Sequence, residues 1–228
     1  MSPGESDDAS KVIEGASMGD VLRPAFALWL VIVGAWGAYW LSTAMAVEAS
    51  GLAEWILWLH TAVQVAVAVC IVRSALRDRE MARIFAWPRG GTFELCLLVG
   101  IGGSMLLAMW ERTIPSWGPG SFEWEREAGW SIVPVLISGA VLPGVFEELA
   151  FRGVILGRLM VVFGPWFALV LQAAMFSVMH ADGVYLLPHF VFGCLTGFLR
   201  LAAGALWPCM LLHFVWNGWI ALEVYELV

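Results

Sequence analysis

Charged residues are scarce in this sequence, and lysine is almost missing. Asp, Glu, Lys and Arg make up 14% of the 228 residues, and Lys11 is the single lysine. A soluble domain averages about 25% charged residues. The formal net charge of −7 and the sequence pI near 5.0 also leave no basic patch for a polyanion. The composition therefore excludes a nucleic-acid-binding protein.

The cysteines show no pattern typical of a disulfide framework or a metal site. All four lie in apolar runs, and no two of them have CxxC spacing. We interpret them as small buried hydrophobic side chains. A disulfide-stabilised scaffold is therefore excluded. The four are Cys70, Cys96, Cys194 and Cys209.

Apolar residues are in excess. They make up 61% of the chain, and its mean hydropathy is +0.81. That is more apolar surface than one soluble core of 25.0 kDa can bury. The sequence therefore predicts an all-α, polytopic transmembrane helical bundle. With about 20 apolar residues per span, we expect about seven spans, at 25–47, 52–72, 92–110, 131–150, 163–181, 183–203 and 205–224. The fourth span can continue as one helix to about residue 160.

The spans divide the chain into three predicted regions. Residues 1–22 are a polar, acidic tail without the basic segment of a signal peptide. Residues 23–130 hold three transmembrane helices with their loops, and residues 131–228 form a helical core that carries the chemistry.

Basic residues concentrate on one side of the predicted spans. If the N-terminus is cytoplasmic, only Arg112 and Arg126 of the 12 basic residues lie outside. Cytoplasmic loops carry an excess of Lys and Arg. We therefore expect a cytoplasmic N-terminus, with the arginine-rich loop 73–91 against anionic lipid. The preference for arginine over lysine is typical of GC-rich coding sequences and favours a bacterial inner membrane.

Ionisable residues within the apolar spans form three short segments. Such residues are costly in a membrane and are functional candidates by default. Glu148 and Arg152 have the i, i+4 spacing of a helical ion pair, with the acid first. Glu147 points about 100° away and faces a different neighbour. The candidates are Glu147, Glu148 and Arg152, then His180, then His213 and Asn217.

Helix geometry predicts which of these residues share a depth. Glu147 and His180 are each about 16 residues from the turn at Gly164-Pro165, so an antiparallel hairpin places them at one level. His213 and Asn217 are closer to the next turn. If all turns lie at equal height, the expected mismatch in depth is roughly 5–10 Å.

The three segments resemble the motifs of one family. Its pattern is EExxxR, then FxxxH, then HxxxN or HxxxD, and all three occur here in order, each about 33 residues from the last. On these motifs the chain resembles the CPBP family of CAAX proteases and bacteriocin-processing (Abi) intramembrane proteases, which includes the type II CAAX prenyl endopeptidase. The resemblance covers about residues 131–220.

The resemblance implies an intramembrane protease. Glu147 matches the catalytic glutamate, which with His180 activates a water to attack a peptide carbonyl. His213 and Asn217 match the residues that stabilise the oxyanion. A general base and preorganised donors are what this hydrolysis needs.

Glu148 and Arg152 match the supporting pair of the family. The resemblance implies no required cofactor. A zinc-dependent version stays open, because two histidines and one glutamate can hold zinc with an open water position. No HExxH motif occurs, and the ligands would come from three helices.

The expected partner is a membrane-anchored, lipidated or sorting-tagged polypeptide, together with membrane lipid. Two other functions stay open: a non-catalytic immunity or scaffold protein that binds a membrane peptide, and a transporter or proton relay. Transporters usually carry inverted repeats or broken helices, which we do not find. His189 matches none of the motifs, and we interpret it as structural, with a place in the substrate cavity as the alternative.

Overall fold

The computed structural model describes six stretches of the chain. They are residues 17–48, 53–77, 91–113, 122–127, 129–180 and 185–228. Most of the predicted tail and most of the loop 73–91 lie outside these described residues.

Every regular element in the described residues is helical, which confirms the all-α prediction there. Three of the eight helices are long and apolar enough to cross a membrane: Met18–Ala38, Ile132–Phe163 and Leu186–Ala203. The count of seven spans stays a prediction. The helices are α1 (Met18–Glu48), α2 (Ala53–Arg77), α3 (Thr92–Thr113), α4 (Glu123–Glu127), α5 (Ile132–Phe163), α6 (Pro165–Met179), α7 (Leu186–Ala203) and α8 (Trp207–Val224).

Helix α1 begins earlier than its predicted span because Ser17 and Asp20 cap it. The backbone N–H of Asp20 donates to Ser17 Oγ at 3.3 Å, and the N–H of Ser17 donates to Asp20 Oδ2 at 3.2 Å. This reciprocal pair satisfies two backbone donors at the start of the helix. The first turn of α1 therefore lies inside the segment that the sequence assigned to the tail.

Helix α5 is the central element. It runs unbroken from Ile132 to Phe163, which agrees with the longer form predicted for the fourth span. It packs against α1, α2, α6, α7 and α8. All seven residues of Leu149–Ile155 are buried. Since these include Arg152, an arginine lies inside the core.

Two stretches of α5 have π-helical hydrogen bonding, Ile137–Val141 and Leu149–Ile155. They flank the Glu147–Glu148 pair. A π-helical stretch adds a residue to a turn and is frequent at functional sites. It also changes which faces the flanking side chains occupy, so the 100° rule is only approximate along α5.

The turns between the last helices differ in burial. Gly164 and Gly204 adopt left-handed φ values of 74° and 69°, which glycine tolerates. The first turn is exposed, with Trp166 67% accessible, whereas Ala205 and Leu206 of the second turn are both 0% accessible. The start of α8 is therefore covered by the protein, whereas the start of α6 is open.

The four cysteines differ in burial, and Cys194 is half-buried. Cys96 and Cys209 are buried, as predicted, and their thiols donate to backbone carbonyls of Pro208 and Thr196. Cys70 is exposed. The prediction of burial is therefore wrong for Cys70, whose side chain faces outward.

Candidate active site

A buried ionic cluster joins α5 to α8. Arg152 Nη1 donates to Glu148 Oε1 at 2.9 Å, and both side chains are 0% accessible. His213 Nδ1 lies 2.7 Å from the same oxygen. A buried carboxylate needs such partners to remain ionised. Because an ionised carboxylate only accepts hydrogen bonds, Nδ1 of His213 carries the proton.

Aromatic rings complete the environment of Arg152. Its guanidinium lies 4.4 Å from the centroid of Phe176, and the rings of Phe151 and Phe192 are also near, at 6.0 and 5.9 Å. Nε and Nη2 have no hydrogen-bond partner among the described residues. The ring faces therefore provide the remaining stabilisation of the charge through cation–π interaction.

Glu147 lies beside this cluster but is not bonded into it. Its side chain is half-buried, and Oε2 is shielded from solvent with no hydrogen-bond partner among the described residues. It interacts electrostatically with His213, Glu148 and Arg152. The two adjacent glutamates thus differ in their bonds: Oε1 of Glu148 accepts from Arg152 and contacts His213, whereas Oε2 of each glutamate is buried without a hydrogen-bond partner among the described residues.

His180 lies at the C-terminal end of α6 and is half-buried. Its Nδ1 is 3.0 Å from the carbonyl oxygen of Phe176. Since a carbonyl only accepts, Nδ1 is the donor, and Nε2 of the neutral ring is an acceptor. His180 also interacts electrostatically with Arg152 and His213. Glu147 interacts with the same two residues, Arg152 and His213.

Asn217 donates to a backbone carbonyl of α5 that lies in a π-helical stretch close to a proline. Pro143 has no N–H to donate to the carbonyl four residues earlier, that of Gly139. Asn217 Nδ2 donates to this Gly139 oxygen at 2.8 Å. An amide nitrogen carries two hydrogens, so one donor remains for another acceptor.

The six predicted residues therefore lie in one region, but they differ in how they contact one another. Glu148, Arg152 and His213 are directly bonded, and Glu147 and His180 each interact with Arg152 and His213. Asn217 follows His213 by one turn of α8 and bonds to α5 at Gly139. His213 reaches Glu148 directly, so the depth mismatch expected from equal turn heights does not separate these two side chains.

The described residues do not group into a zinc site with three protein ligands. Nδ1 of His180 and Nδ1 of His213 are engaged by protein oxygens, which leaves Nε2 of each ring as its free nitrogen. Within the described ranges, no three His, Cys, Asp or Glu side chains are grouped as metal ligands. A catalytic zinc needs three such ligands and an open position.

Sequence reasoning missed two neighbours of the site. Trp36 of α1 reaches His180, with ring centroids 5.7 Å apart. Phe122 packs its ring against Gly139 so closely that a Cβ there would overlap it. Neither residue belongs to a motif. The missing N–H of Pro143 was the one signal that could have linked Gly139 to a side chain of another helix.

Fold and site define a helical protein with candidate membrane spans and a buried Glu–Arg–His cluster beside a second glutamate, Glu147, that is not bonded into it. A family model described as type II CAAX prenyl endopeptidase Rce1-like matches residues 129–219. These residues form an Rce1-like domain of the CPBP/Abi family, so the predicted recognition is confirmed. The family implies an intramembrane protease.

The matched residues run from just before α5 into α8 and contain all six candidate residues. Comparison with curated proteins and with solved structures gave no match. Helices α1 to α3 lie outside the matched range. Trp36 is therefore an addition to the site from outside the family domain.

Proposed function

We propose that the protein is an intramembrane endopeptidase that hydrolyses a peptide bond near one terminus of a membrane-anchored polypeptide. The observation that carries this proposal is the contrast between the two glutamates. Glu148 is held through Oε1 by both Arg152 and His213, whereas no such bond is found for Glu147, whose Oε2 is shielded and without a partner among the described residues. A carboxylate that no structural bond occupies is suited to hold and deprotonate a water molecule.

In the proposed reaction, Glu147 accepts a proton from the water with His180 Nε2 as the second acceptor. The water oxygen forms a bond to the carbonyl carbon, and the carbonyl electrons move to the oxygen. Collapse of the tetrahedral intermediate breaks the C–N bond. The proton then passes from Glu147 to the leaving amine, so the glutamate is regenerated.

Asn217 and His213 stabilise the oxyanion. Asn217 uses the N–H that does not bind Gly139. His213 Nδ1 donates to Glu148, so Nε2 is a donor only in the imidazolium form. The role of Glu148 is therefore to hold His213 in place and to balance its positive charge. Arg152 in turn prevents Glu148 from remaining an isolated buried carboxylate.

The substrate classes to test are those of the family resemblance: prenylated C-terminal tails, bacteriocin leaders and C-terminal sorting tags. We place the protein in a bacterial inner membrane with a cytoplasmic N-terminus, on the charge distribution. A cytoplasmic or lateral route to the site follows from the position of Glu147 along the chain.

The test compares wild type, Glu147→Gln and His180→Ala in detergent. The probes are a farnesylated CAAX peptide, a bacteriocin-leader peptide and a peptide with one C-terminal apolar helix and a sorting tag. Mass spectrometry identifies the products. We expect wild type to cleave one class at one bond, and both variants to lose at least about 100-fold in rate. Cleavage by Glu147→Gln at the wild-type rate contradicts the proposal.

A further inference from the structure

His180 and His189 form a stacked pair across the connection between α6 and α7. Their ring centroids are 3.7 Å apart and their planes differ by 17°. His180 ends α6, and His189 lies in the first turn of α7. The contact therefore joins a candidate catalytic side chain to a helix that contributes no other candidate residue.

Both rings are oriented by backbone in the same way. His180 Nδ1 lies 3.0 Å from the carbonyl oxygen of Phe176, and His189 Nδ1 lies 2.8 Å from that of Tyr185. In each case the oxygen is one helical turn earlier on the same helix. Each Nδ1 is therefore a donor, and the two imidazoles are held as the same tautomer when neutral.

The remaining sides of the His180 ring are walled by aromatic residues. The Phe176 ring centroid is 4.8 Å away, and that of Trp36 is 5.7 Å away. Among the described residues, three rings contact His180, and they come from three helices: Trp36 from α1, Phe176 from α6 and His189 from α7. The single hydrogen bond at Nδ1 does not by itself fix the rotation of the ring about the Cβ–Cγ bond. A parallel stack restricts this rotation, because it holds the plane of the imidazole.

Two further contacts join α6 to α7 near the histidine pair. Ser177 Oγ donates to the carbonyl of Leu186, which ties the end of α6 to the start of α7. Gly193 lies so close to α6 that a Cβ there would be 2.9 Å from Ala173 Cα. The two helices that carry the stacked histidines are therefore held together by a hydrogen bond and by close backbone packing.

We infer that His189 is a positioning residue for His180, and that its stacked ring holds the His180 imidazole with Nε2 toward the reacting water. This inference rests on the proposed function, since it assigns His180 the catalytic contact and gives His189 none. His189 acts through the orientation of its neighbour. The interpretation of His189 as merely structural is replaced by a functional one.

Nuclear magnetic resonance of the ring nitrogens tests the stack without any substrate. The chain has four histidines, so ring-labelled protein in detergent gives few signals. We expect wild-type His180 to be protonated at Nδ1 and not at Nε2. His189→Ala should mix the tautomers and shift the His180 signals, whereas His189→Phe, which keeps a flat ring, should preserve them. Leu187→Ala, at an exposed position in the same turn of α7, is the matched control and should leave the His180 signals unchanged.

Kinetics with the peptide that wild type cleaves provides the second readout. We expect His189→Ala to lower kcat roughly 10- to 100-fold, as for a misplaced catalytic group, with KM unchanged. His189→Phe should recover most of this loss, and His189→Asn, which lacks a ring, should not. In a His180→Ala background, His189→Ala should cost nothing further, because the two act as one unit.

Three results overturn the inference. His180 signals that do not change in His189→Ala show that the stack does not hold the ring. An unchanged kcat despite altered signals shows that the orientation is not used. A rate in His189→Phe as low as in His189→Ala shows that a nitrogen of His189 is needed. If no peptide of the panel is cleaved, the proposed function fails. The resonance experiment needs no substrate, so it still shows whether His189 holds the His180 ring.

Discussion

Nδ1 of His213 and Oε1 of Glu148 lie 2.7 Å apart, although 65 residues separate them in the chain. The same oxygen accepts from Arg152. One carboxylate oxygen therefore joins two helices and compensates a buried guanidinium. Its partner in sequence, Glu147, makes no equivalent bond from Oε2 within the described residues. The two adjacent glutamates should consequently respond in opposite ways to the same substitution.

Glu148→Gln should destabilise the protein. The substitution leaves Arg152 as a buried charge without its anion, which costs about 3–5 kcal/mol. Thermal unfolding in detergent measures the loss. The double variant Glu148→Leu/Arg152→Met should be more stable than Glu148→Gln, because it removes both charges. If Glu148→Gln unfolds at the wild-type temperature, the ion pair is not a structural element.

Glu147→Gln should abolish catalysis without destabilising the protein. An amide has nearly the same shape but cannot accept the proton of water, and loss of a general base costs about 10²- to 10⁴-fold in rate. Stability should not fall, since Oε2 has no bond to lose among the described residues. A variant that is both unfolded and inactive would instead place Glu147 with Glu148 as a structural residue.

The sequence predicts these two roles only because helix geometry is local. The i, i+4 spacing is enough to pair Glu148 with Arg152, and both are bonded in the structure. The bond to His213 depends on how α8 packs against α5, which is a tertiary property. Spacing along the chain could not predict it.

The environment of His180 shows the same limit. The FxxxH spacing predicts that Phe176 lies one turn before His180, and the ring contact at 4.8 Å agrees. Trp36 and His189 reach the same ring from α1 and α7. No periodicity in the sequence connects these helices. Such contacts arise from packing, and only the structure shows them.

Asn217→Ala should destabilise the protein through a backbone carbonyl of α5. The Gly139 oxygen then has neither the N–H that Pro143 lacks nor the Asn217 amide, which costs about 1–3 kcal/mol. In a Pro143→Ala background the helix can supply an N–H, so Asn217→Ala should cost less. Chemical unfolding of the four proteins in this cycle measures the coupling.

Pro134→Ala is the matched control for that cycle. Pro134 is also in α5, and the carbonyl four residues before it, that of Trp130, accepts from the Tyr225 hydroxyl at 2.9 Å. Pro134→Ala should therefore not rescue Asn217→Ala. Equal losses in the wild-type, Pro143→Ala and Pro134→Ala backgrounds would contradict the role of Pro143.

Peptide cleavage should be insensitive to strong chelators. The prediction rests on the grouping of side chains: no three His, Cys, Asp or Glu residues are placed together as metal ligands in the described part of the chain. The measurement is the rate before and after dialysis against a chelator, with metal content determined in both samples. Loss of activity that zinc restores would instead support the zinc-dependent mechanism.

Gly193→Ala should weaken the α6–α7 contact and with it the support of the histidine stack. The added methyl group would lie 2.9 Å from Ala173 Cα, so the helices must separate. Overpacking of this kind costs about 1–3 kcal/mol. Separation of the helices should also lengthen the hydrogen bond from Gln172 Nε2 to the Gly193 carbonyl, which is 2.8 Å in the wild-type protein.

Gly34→Ala in α1 is the control, because a Cβ there meets nothing within 4 Å. An alanine in an open helical position should be neutral or slightly stabilising. Thermal unfolding of the two variants compares the positions, and the ring signals of His180 report on the stack. A Gly193→Ala protein with wild-type stability and unchanged His180 signals would show that the hairpin adapts without disturbing the site. The support assigned to the contact between α6 and α7 would then be wrong, because the orientation of His180 would depend on its ring contacts alone.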